Sequence, residues 1–222
     1  MKNLFNGNIE KEFYLWVDPK NFMTFNNLSL IGHAFSNPIP SESNNPEDNL
    51  LFIPNPKYKA GITPYHNNIA KRIRAEYALE IYRPKQYPSR TQALFLCNSI
   101  EDANKYEELH KSHTNDRTLV NGYSTGNYIY SIHDSGWFDF LCTDGSFGDE
   151  ETIKNCVRAY WNGITIVERQ LQLYGNPWSQ PPTMEVLFYG NLKITEKSKS
   201  ELREKFKIAY QKKPWEYPKM YL

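Results

Sequence analysis

Alternating apolar and polar positions mark several stretches of the chain as β-strands. The segments EFYLWVD (12–18) and NYIYSIHD (127–134) alternate cleanly, and both are rich in aromatic and β-branched residues. A third run, MEVLFYGNLKI (184–194), follows Pro181 and Pro182, which have no N–H to give to a sheet and so mark where the strand begins. The short apolar run TQALFLCNS (91–99) predicts a fourth strand.

Helical spacing and capping residues predict helices between these strands. In residues 67–83 apolar side chains recur every four positions and Pro84 ends the helix, while residues 99–110 begin at Ser99, an N-cap residue followed by acidic residues. Residues 149–163 end at Gly163, a C-cap residue, and residues 195–211 form an amphipathic helix. Strands spread among helices, some at hairpin-like spacing, predict an α+β fold rather than a doubly wound parallel sheet.

The length of 222 residues predicts one domain spanning residues 1–222. Within it, residues 37–66 are dense in Pro, Asn and Ser, which predicts a long loop or insertion. GYSTG (122–126) is interpreted as a loop before a strand, and GWFDFLCTDG (136–145) as a turn out of that strand. Residues 195–222 are expected to form a C-terminal helix followed by a Pro-rich tail.

Charge and cysteine usage narrow the classes of function and the compartment. Lys and Arg number 26 against 25 Asp and Glu, so the net charge of +1 favours no nonspecific nucleic-acid binding. Three cysteines without metal-ligand spacing, and no recognisable signal peptide, predict a cytoplasmic protein. No apolar run reaches the roughly 18 residues of a membrane span, so no membrane partner is expected. His110 and His113 lack a third ligand nearby in sequence, so no metal site is expected.

The common catalytic signatures are missing, and one carboxylate stands out. The sequence has no phosphate-binding loop, dinucleotide fingerprint, nucleophile elbow or HExxH motif. Glu185 opens an otherwise apolar and aromatic strand. A charge at a strand entrance either is solvated or faces a cleft, and the pattern alone leaves both open.

The order of the elements resembles that of small bacterial and phage mono-ADP-ribosyltransferases. The segments that carry the resemblance lie within residues 12–194: PSRTQALFLCNSIEDA, the Tyr-rich strand YIYSIHDSGWFD, AYWNG and MEVLFYGNLKI. YIYSIHDSGWFD is similar to a strand of the rifampin-modifying enzymes, and MEVLFYGNLKI to the strand that bears the catalytic glutamate in DNA-targeting toxins. The resemblance implies an ADP-ribosyltransferase-like split antiparallel sheet with flanking helices. It also implies a role as a toxin or in the conflict between a phage and its host.

The resemblance also implies a substrate and a set of site residues. NAD would be the co-substrate, and the acceptor would be a macromolecule: protein, DNA or RNA. Tyr14 would line the NAD pocket, and Ser89 and Arg90 match the family's Ser-Arg pair, whose guanidinium could hold a phosphate of NAD. Glu185 would be the catalytic acid, because a fixed carboxylate stabilises the oxocarbenium character that develops on the ribose. Asp139 is the alternative acid.

One departure and several structural alternatives stand beside these roles. Many members of that family have Tyr-His in the first strand, whereas Leu15 follows Tyr14 here, and His33 could take the place of the histidine in space. A catalytically inactive module that binds a nucleotide or a protein partner is therefore the alternative function. In the structural alternatives Glu185 is an exposed strand-end charge, Arg90 makes an ion pair and Asp139 stabilises a turn. A surface position for Glu185 predicts that E185Q changes stability by about 0.5 kcal/mol or less.

Overall fold

The described chain is an α+β protein built on a six-stranded antiparallel sheet, as the sequence predicts. The computed structural model describes residues 2–19, 25, 27–36, 65–143, 150–169, 172–173 and 176–212. The sheet order is β1-β5-β8-β3, with β2 paired to β5 and β4 paired to β8; β6 and β7 form a separate hairpin. The strands are β1 Leu4–Gly7, β2 Glu12–Val17, β3 His33–Phe35, β4 Leu94–Leu96, β5 Thr118–Asp134, β6 Gln172–Leu173, β7 Asn176–Pro177 and β8 Met184–Ile194.

Four of the six described α-helices lie close to their predicted positions, and the two short ones, over 111–114 and 136–141, were not predicted. The helices are α1 Tyr65–Ile81, α2 Ile100–Leu109, α3 Lys111–Thr114, α4 Gly136–Leu141, α5 Glu150–Trp161 and α6 Glu196–Lys212, and a π-helical turn spans Asn27–Ile31. Ser99 caps α2, since its side chain accepts the N–H of Asp102. Gly163 follows α5 with φ 69°, a backbone conformation that favours glycine.

Three boundary predictions are wrong or lie outside the described residues. Residues 65 and 66 belong to α1 rather than to the loop predicted over 37–66. Residues 37–64 and the tail after residue 212 lie outside the described residues. The apolar strand predicted over 91–99 is shorter, because residues 89–93 form a turn in which Ser89 O accepts the N–H groups of Gln92 and Ala93.

GYSTG is part of β5, not a loop. β5 runs without interruption from Thr118 to Asp134, and it pairs with β2 in the register Tyr14 to Asn121. Gly122 serves close packing, because a Cβ there would lie 2.9 Å from the Leu192 side chain. Both glycines of the motif therefore lie inside a strand. From the sequence alone, glycines at such positions predict a loop.

The predicted turn after β5 contains the short helix α4. Its side chains Trp137, Phe138, Phe140 and Leu141 are buried. Asp134, at the end of β5, starts the helix because its Oδ1 accepts the N–H of Gly136 at 2.9 Å. The Trp137 indole donates to the carbonyl of Ile164. The segment thus forms a helix whose apolar side chains are buried. The Gly and Asp residues of this segment had predicted a turn.

The chain divides into two compact units. The first comprises residues 1–6, 37–95 and 129–189, and the second comprises residues 7–36, 96–128 and 190–222. The prediction of one domain over 1–222 stays a prediction. Among the described helices, none is both long and apolar enough to cross a bilayer.

The first unit has an aromatic core between α1, α4 and α5. Its largest fully buried side chains include Trp137 and Tyr160. The Trp161 indole donates to the carbonyl of Leu79 at 2.9 Å, which joins α5 to α1. Tyr87, in the segment after α1, packs edge-on against Trp161 at 5.6 Å between ring centroids.

The second unit packs helices α2 and α6 with strand β2 and the π-helical turn. Phe13, Leu15 and Val17 of β2 are buried, and Trp16 donates its indole N–H to the carbonyl of Ala103 in α2. Arg203 of α6 donates to the carbonyl of Ser29 in the π-helical turn. Each helix is thus tied to its neighbour by a side-chain donor as well as by apolar packing.

Asp134 sets the start of β8 within the first unit. It is fully buried, and besides Gly136 it accepts the backbone N–H groups of Thr183 at 3.1 Å and Ile166 at 2.9 Å. Ser135 adds two bonds to the carbonyl of Thr183, from its N–H at 2.8 Å and its hydroxyl at 3.0 Å. Glu185 follows Thr183 by two residues, so these bonds fix where its side chain begins.

We expect Asp134→Ala to destabilise the protein strongly. The substitution leaves three buried N–H groups without their acceptor, and the expected loss is about 3–5 kcal/mol in the free energy of unfolding. Urea denaturation measures this loss. Asp102→Ala, which removes a half-buried carboxylate from the first turn of α2, is the control and should cost about 1 kcal/mol or less. A D134A protein as stable as D102A would contradict the anchoring role.

Candidate functional site

Arg90 lies in the turn between α1 and β4, and α1 fixes its backbone. Glu80 of α1 accepts the Arg90 N–H at 2.8 Å through Oε1 and pairs with Arg83 at 2.9 Å through Oε2. Arg83 in turn donates to the carbonyl of Tyr87 at 2.7 Å. One buried glutamate therefore shapes the whole segment that delivers Arg90.

The Arg90 guanidinium joins two carboxylates and a phenol. Its Nε donates to Glu76 Oε2 at 2.8 Å and its Nη2 to Glu76 Oε1 at 3.2 Å, a two-point contact. Its Nη1 donates to the Tyr160 hydroxyl at 2.6 Å and forms an ion pair with Oε1 of Glu185. Four of the five guanidinium N–H groups are thereby engaged.

Aromatic rings enclose the guanidinium. The Arg90 side chain is 4% exposed, and its guanidinium carbon lies 4.8 Å from the ring centroid of Phe138, 5.0 Å from that of Phe95 and 5.4 Å from that of Tyr160. Burial alone would lower the pKa of Arg90, but the carboxylates of Glu185 and Glu76 raise it well above the usual value. Arg90 is therefore a permanent buried cation.

Glu185 is held by one carboxylate oxygen only. Oε1 takes both the Arg90 ion pair and a hydrogen bond from the Tyr160 hydroxyl at 2.8 Å. Oε2 accepts no hydrogen bond from any described residue. Burial raises the pKa of Glu185, against the opposing effects of Arg90 and Tyr160. Among the described residues, the site therefore leaves one carboxylate oxygen without a hydrogen-bond donor, in a side chain that is 13% exposed.

The interpretation of Glu185 as an exposed strand-end charge is wrong. Its side chain is 13% exposed, because β8 starts inside the first unit where Arg90 and Tyr160 cover the carboxylate. The expectation that E185Q leaves stability unchanged loses its basis for the same reason. Removing the charge deprives a buried guanidinium of one of its two anionic partners.

Asp139 is a second carboxylate with a raised pKa. It lies on α4, is half-buried, and accepts no side-chain hydrogen bond from the described residues. Burial raises the pKa of Asp139, while the guanidinium groups of Arg72 and Arg90 lower it less strongly. Asp139 lies in a short helix rather than in the turn that the structural alternative gives it.

Tyr160 connects this cluster to a buried histidine. The ring of His133 stacks on that of Tyr160 at 4.3 Å between centroids and 16° between planes. His133 Nδ1 lies 2.8 Å from the Tyr160 carbonyl and Nε2 lies 2.8 Å from the hydroxyl of Ser131. Burial lowers the pKa of His133 to about 3, so the imidazole is neutral. A neutral ring donates from Nδ1 and accepts at Nε2.

Ser89 lies beside Arg90 but serves the turn. Its N–H donates to the Tyr189 hydroxyl at 2.8 Å, and its own hydroxyl lies 2.8 Å from that of Thr91. Ser89 is 1% exposed. Its role toward NAD stays a prediction, and the contacts it makes in the structure all stabilise the segment that positions Arg90.

Tyr14 and Leu15 lie on opposite faces of β2. Tyr14 belongs to the second unit, on the half-exposed face of β2, and its backbone pairs with Cys97. Burial and then the neighbouring Glu12 raise the pKa of Tyr14. Leu15 is 7% exposed, on the opposite face. His33 also belongs to the second unit, where its Nδ1 lies 3.0 Å from Asn191 Oδ1.

Glu76, Tyr160 and His133 are the site residues that the sequence analysis missed. Glu76 and Glu80 are four residues apart on α1, so both face the turn that follows. That spacing was a usable signal. Tyr160 is fully buried, as an ordinary core aromatic would be, but its hydroxyl contacts two charged groups that lie far from it in sequence.

The cysteines offer no reactive thiol to this site. Cys97 and Cys156 are buried and Cys142 is half-buried. Burial raises the pKa of the Cys142 thiol to about 11, so it is protonated at neutral pH. Within the described ranges, no group of three or more His, Cys, Asp or Glu side chains is placed to hold a metal ion.

The chain matches one protein family over most of its length. Residues 17–200 match the family described as "Protein of unknown function (DUF2441)". The chain belongs to the DUF2441 family. The matched region contains Arg90, Tyr160 and Glu185 and does not reach Tyr14. No curated protein matches the chain. Membership in DUF2441 carries no activity with it, so function is argued from the site.

Because His133 is buried as a neutral ring, we expect the free energy of unfolding to fall as the pH is lowered. The folded protein keeps this ring uncharged down to about pH 3, whereas the unfolded chain protonates it near pH 6.5. Its stabilising contribution is complete above pH 6.5 and is lost as the pH falls towards 3, by up to about 1.4 kcal/mol per pH unit.

Urea denaturation between pH 7 and pH 4.5 measures this contribution when wild type is compared with His133→Asn. Asparagine does not titrate, and its amide can replace the Nδ1 donor. We expect the unfolding free energy of H133N to fall less steeply with acid than that of wild type. Parallel curves for the two proteins would contradict a neutral buried His133.

Proposed function

We propose that the protein is a mono-ADP-ribosyltransferase that uses NAD as co-substrate and modifies a macromolecular acceptor, with Glu185 as its catalytic carboxylate. The observation that carries the proposal is the one-sided fixation of Glu185. Its Oε1 is bound by Arg90 and Tyr160, and no described residue donates a hydrogen bond to its Oε2. A carboxylate held rigidly with one open oxygen suits a reaction that develops positive charge.

The charge around Glu185 supports this assignment. Glu76, Glu185 and Asp139 contribute three carboxylates, and Arg72 and Arg90 contribute two guanidinium groups. When all are ionised the cluster therefore carries one negative charge. Aromatic rings lower the dielectric around it, which strengthens each electrostatic interaction. A net negative, ring-lined surface favours a cationic transition state over an anionic one.

In the proposed reaction the bond between the nicotinamide nitrogen and C1 of the ribose breaks. Nicotinamide leaves with the bonding electron pair, and the ribose carbon becomes electron-deficient. A nucleophilic atom of the acceptor forms the new bond to C1, and its proton passes to a carboxylate and then to water. Glu185 Oε2 would face the electron-deficient ribose, and Asp139, with its raised pKa and unbonded carboxylate, is the alternative proton acceptor.

Arg90 contributes to the proposed site by holding Glu185. The ion pair that the sequence left as an alternative is present, and the guanidinium also makes a two-point contact with Glu76. To bind a phosphate of NAD the guanidinium would have to release one of these carboxylates. That phosphate contact stays a prediction, separate from the positioning of Glu185.

The alternative function is a module that binds a nucleotide or protein partner without turnover. The observation that favours it is the position of Leu15, which is buried in the second unit at the position where many of the ADP-ribosyltransferases that the sequence resembles have a histidine. NAD binding without release of nicotinamide would support this alternative. Protein, DNA and RNA all remain possible acceptors.

Glu185→Gln is the first test of the proposed enzyme. The amide keeps the shape and hydrogen-bonding capacity of the side chain but loses its charge, and we expect nicotinamide release to fall about 10²–10³-fold. NAD affinity should change little, because the charge acts once the ribose becomes cationic. The free energy of unfolding should also fall, by about 1–3 kcal/mol, because Arg90 loses an anionic partner.

The matched control is Glu201→Gln, a substitution of an exposed glutamate on α6. It should retain wild-type nicotinamide release and stability to within about 0.5 kcal/mol. Comparing the two variants at a temperature where both are folded separates loss of charge from loss of structure. A fully active E185Q enzyme would overturn the role assigned to Glu185.

A further inference from the structure

His133 fixes both the backbone and the ring of Tyr160. Its Nδ1–H donates to the Tyr160 carbonyl at 2.8 Å, and the two rings stack at 4.3 Å. Ser131, two residues earlier on β5, orders the far side of the imidazole through Nε2 at 2.8 Å. His133 is fully buried and packs edge-on against Trp161 at 5.0 Å. The plane of the Tyr160 ring is therefore set by strand β5.

The hydrogen bonds of the Tyr160 hydroxyl have only one possible direction. A guanidinium has donors and no acceptor, so the Tyr160 oxygen accepts from Arg90 Nη1. The single phenolic proton is then free for the carboxylate, and it points to Glu185 Oε1 at 2.8 Å. Burial raises the pKa of Tyr160 well above its usual value, so this proton stays in place.

Both donors meet the same oxygen of Glu185. Arg90 and Tyr160 approach Oε1 from the turn after α1 and from α5, and Oε2 receives no hydrogen bond from the part of the chain that the structure describes. An ion pair with Arg90 alone would let the carboxylate rotate and take the guanidinium with either oxygen. The second donor at a fixed angle removes that freedom.

We propose that Tyr160 and His133 are positioning residues for Glu185: His133 orients Tyr160, and the Tyr160 hydroxyl holds the carboxylate so that Oε2 faces the substrate. The inference rests on the proposed function and names two residues that act through Glu185 without touching NAD. Both residues lie in segments that carry the resemblance to ADP-ribosyltransferases, but that resemblance assigns neither of them a role.

The charged and titratable groups around Glu185 define the expected pH behaviour. Arg90 and Tyr160 lower the pKa of Glu185, while burial and Glu76 of α1 raise it. Asp139 of α4 interacts with the same Arg90, and His133 of β5 is neutral above about pH 3. Removing the Tyr160 hydroxyl deletes one of the two groups that favour the ionised carboxylate. The Glu185 pKa should therefore rise.

Tyr160→Phe is the variant that tests this role. It keeps the ring that stacks on His133 and removes only the hydroxyl. We expect kcat for nicotinamide release to fall about 10–100-fold with KM for NAD nearly unchanged. The acid limb of the kcat profile should move to higher pH. Titration of Glu185 by ¹³C NMR of the labelled carboxyl should show the same upward movement, with E185Q assigning the signal.

Tyr87→Phe is the matched control. Tyr87 is also a buried tyrosine of the first unit, 5.8 Å from the His133 ring, and its hydroxyl donates to Asn3 rather than to Glu185. Y87F should lose stability without moving the pH profile or the Glu185 titration. Equal shifts in Y87F and Y160F would show general loosening and would overturn the proposal.

His133→Leu and His133→Asn test the residue behind Tyr160. H133L removes the donor to the Tyr160 carbonyl and should reproduce the lower kcat and shifted acid limb of Y160F. H133N can restore the donor and should recover part of the loss. If H133L does not fold, the kcat profiles and Glu185 titrations of Y160F and H133N test the proposal. An unchanged acid limb and an unchanged Glu185 titration in Y160F overturn the proposal.

The NMR titration separates this inference from the proposed function. If wild type releases no nicotinamide, the enzyme proposal fails, but the Glu185 titration still reports whether Tyr160 holds the carboxylate. If wild type is active and Y160F matches it in kcat, pH profile and titration, the positioning proposal alone fails.

Discussion

A buried guanidinium constrains how the first unit packs. Arg90 cannot lose its proton, so burying it requires anionic partners and acceptors within hydrogen-bond reach. Glu76 from α1, Glu185 from β8 and the Tyr160 hydroxyl from α5 meet that need. The two helices and the strand must converge on the turn after α1. The energetic cost of an unpaired buried charge therefore specifies how these elements pack.

The same constraint leaves one chemical group unused. Glu76 takes the guanidinium at two points, so Glu185 needs only one oxygen for the ion pair. Asp134 and Ser135 fix the start of β8 through Thr183, and Tyr160 fixes the carboxylate from the other side. Because two carboxylates neutralise one guanidinium, Oε2 of Glu185 is left without a donor among the described residues. A structural ion pair and a reactive carboxylate are compatible in this arrangement.

Local patterns predicted most elements, since strands and helices depend on short-range spacing. β2, α2 and α5 follow from alternation, the Ser99 cap and the glycine after the helix. The patterns failed where tertiary contacts overrode them. Gly122 lies in a strand because Leu192 packs closely against it, and α4 forms because four apolar side chains face a core.

The site divides in the same way. Arg90, Glu185 and Asp139 could be proposed from the sequence because charges in apolar surroundings are visible there. Tyr160 and His133 could not, since the contacts that join them to each other and to Arg90 and Glu185 span 25 to 70 positions of sequence. Burial hides such partners among ordinary core aromatics. The spacing of Glu76 from Glu80 was visible, but its target became apparent only when the turn after α1 was placed.

The central claim is that the free oxygen of Glu185 faces the ribose of NAD. The most direct measurement is a ¹³C NMR titration of the labelled Glu185 carboxyl with an unreactive NAD analogue whose ribose ring oxygen is replaced by CH₂. The account predicts a saturable shift of the Glu185 signal at the analogue concentrations that bind the protein. Binding that saturates without moving the Glu185 signal, or no binding at all, would contradict it.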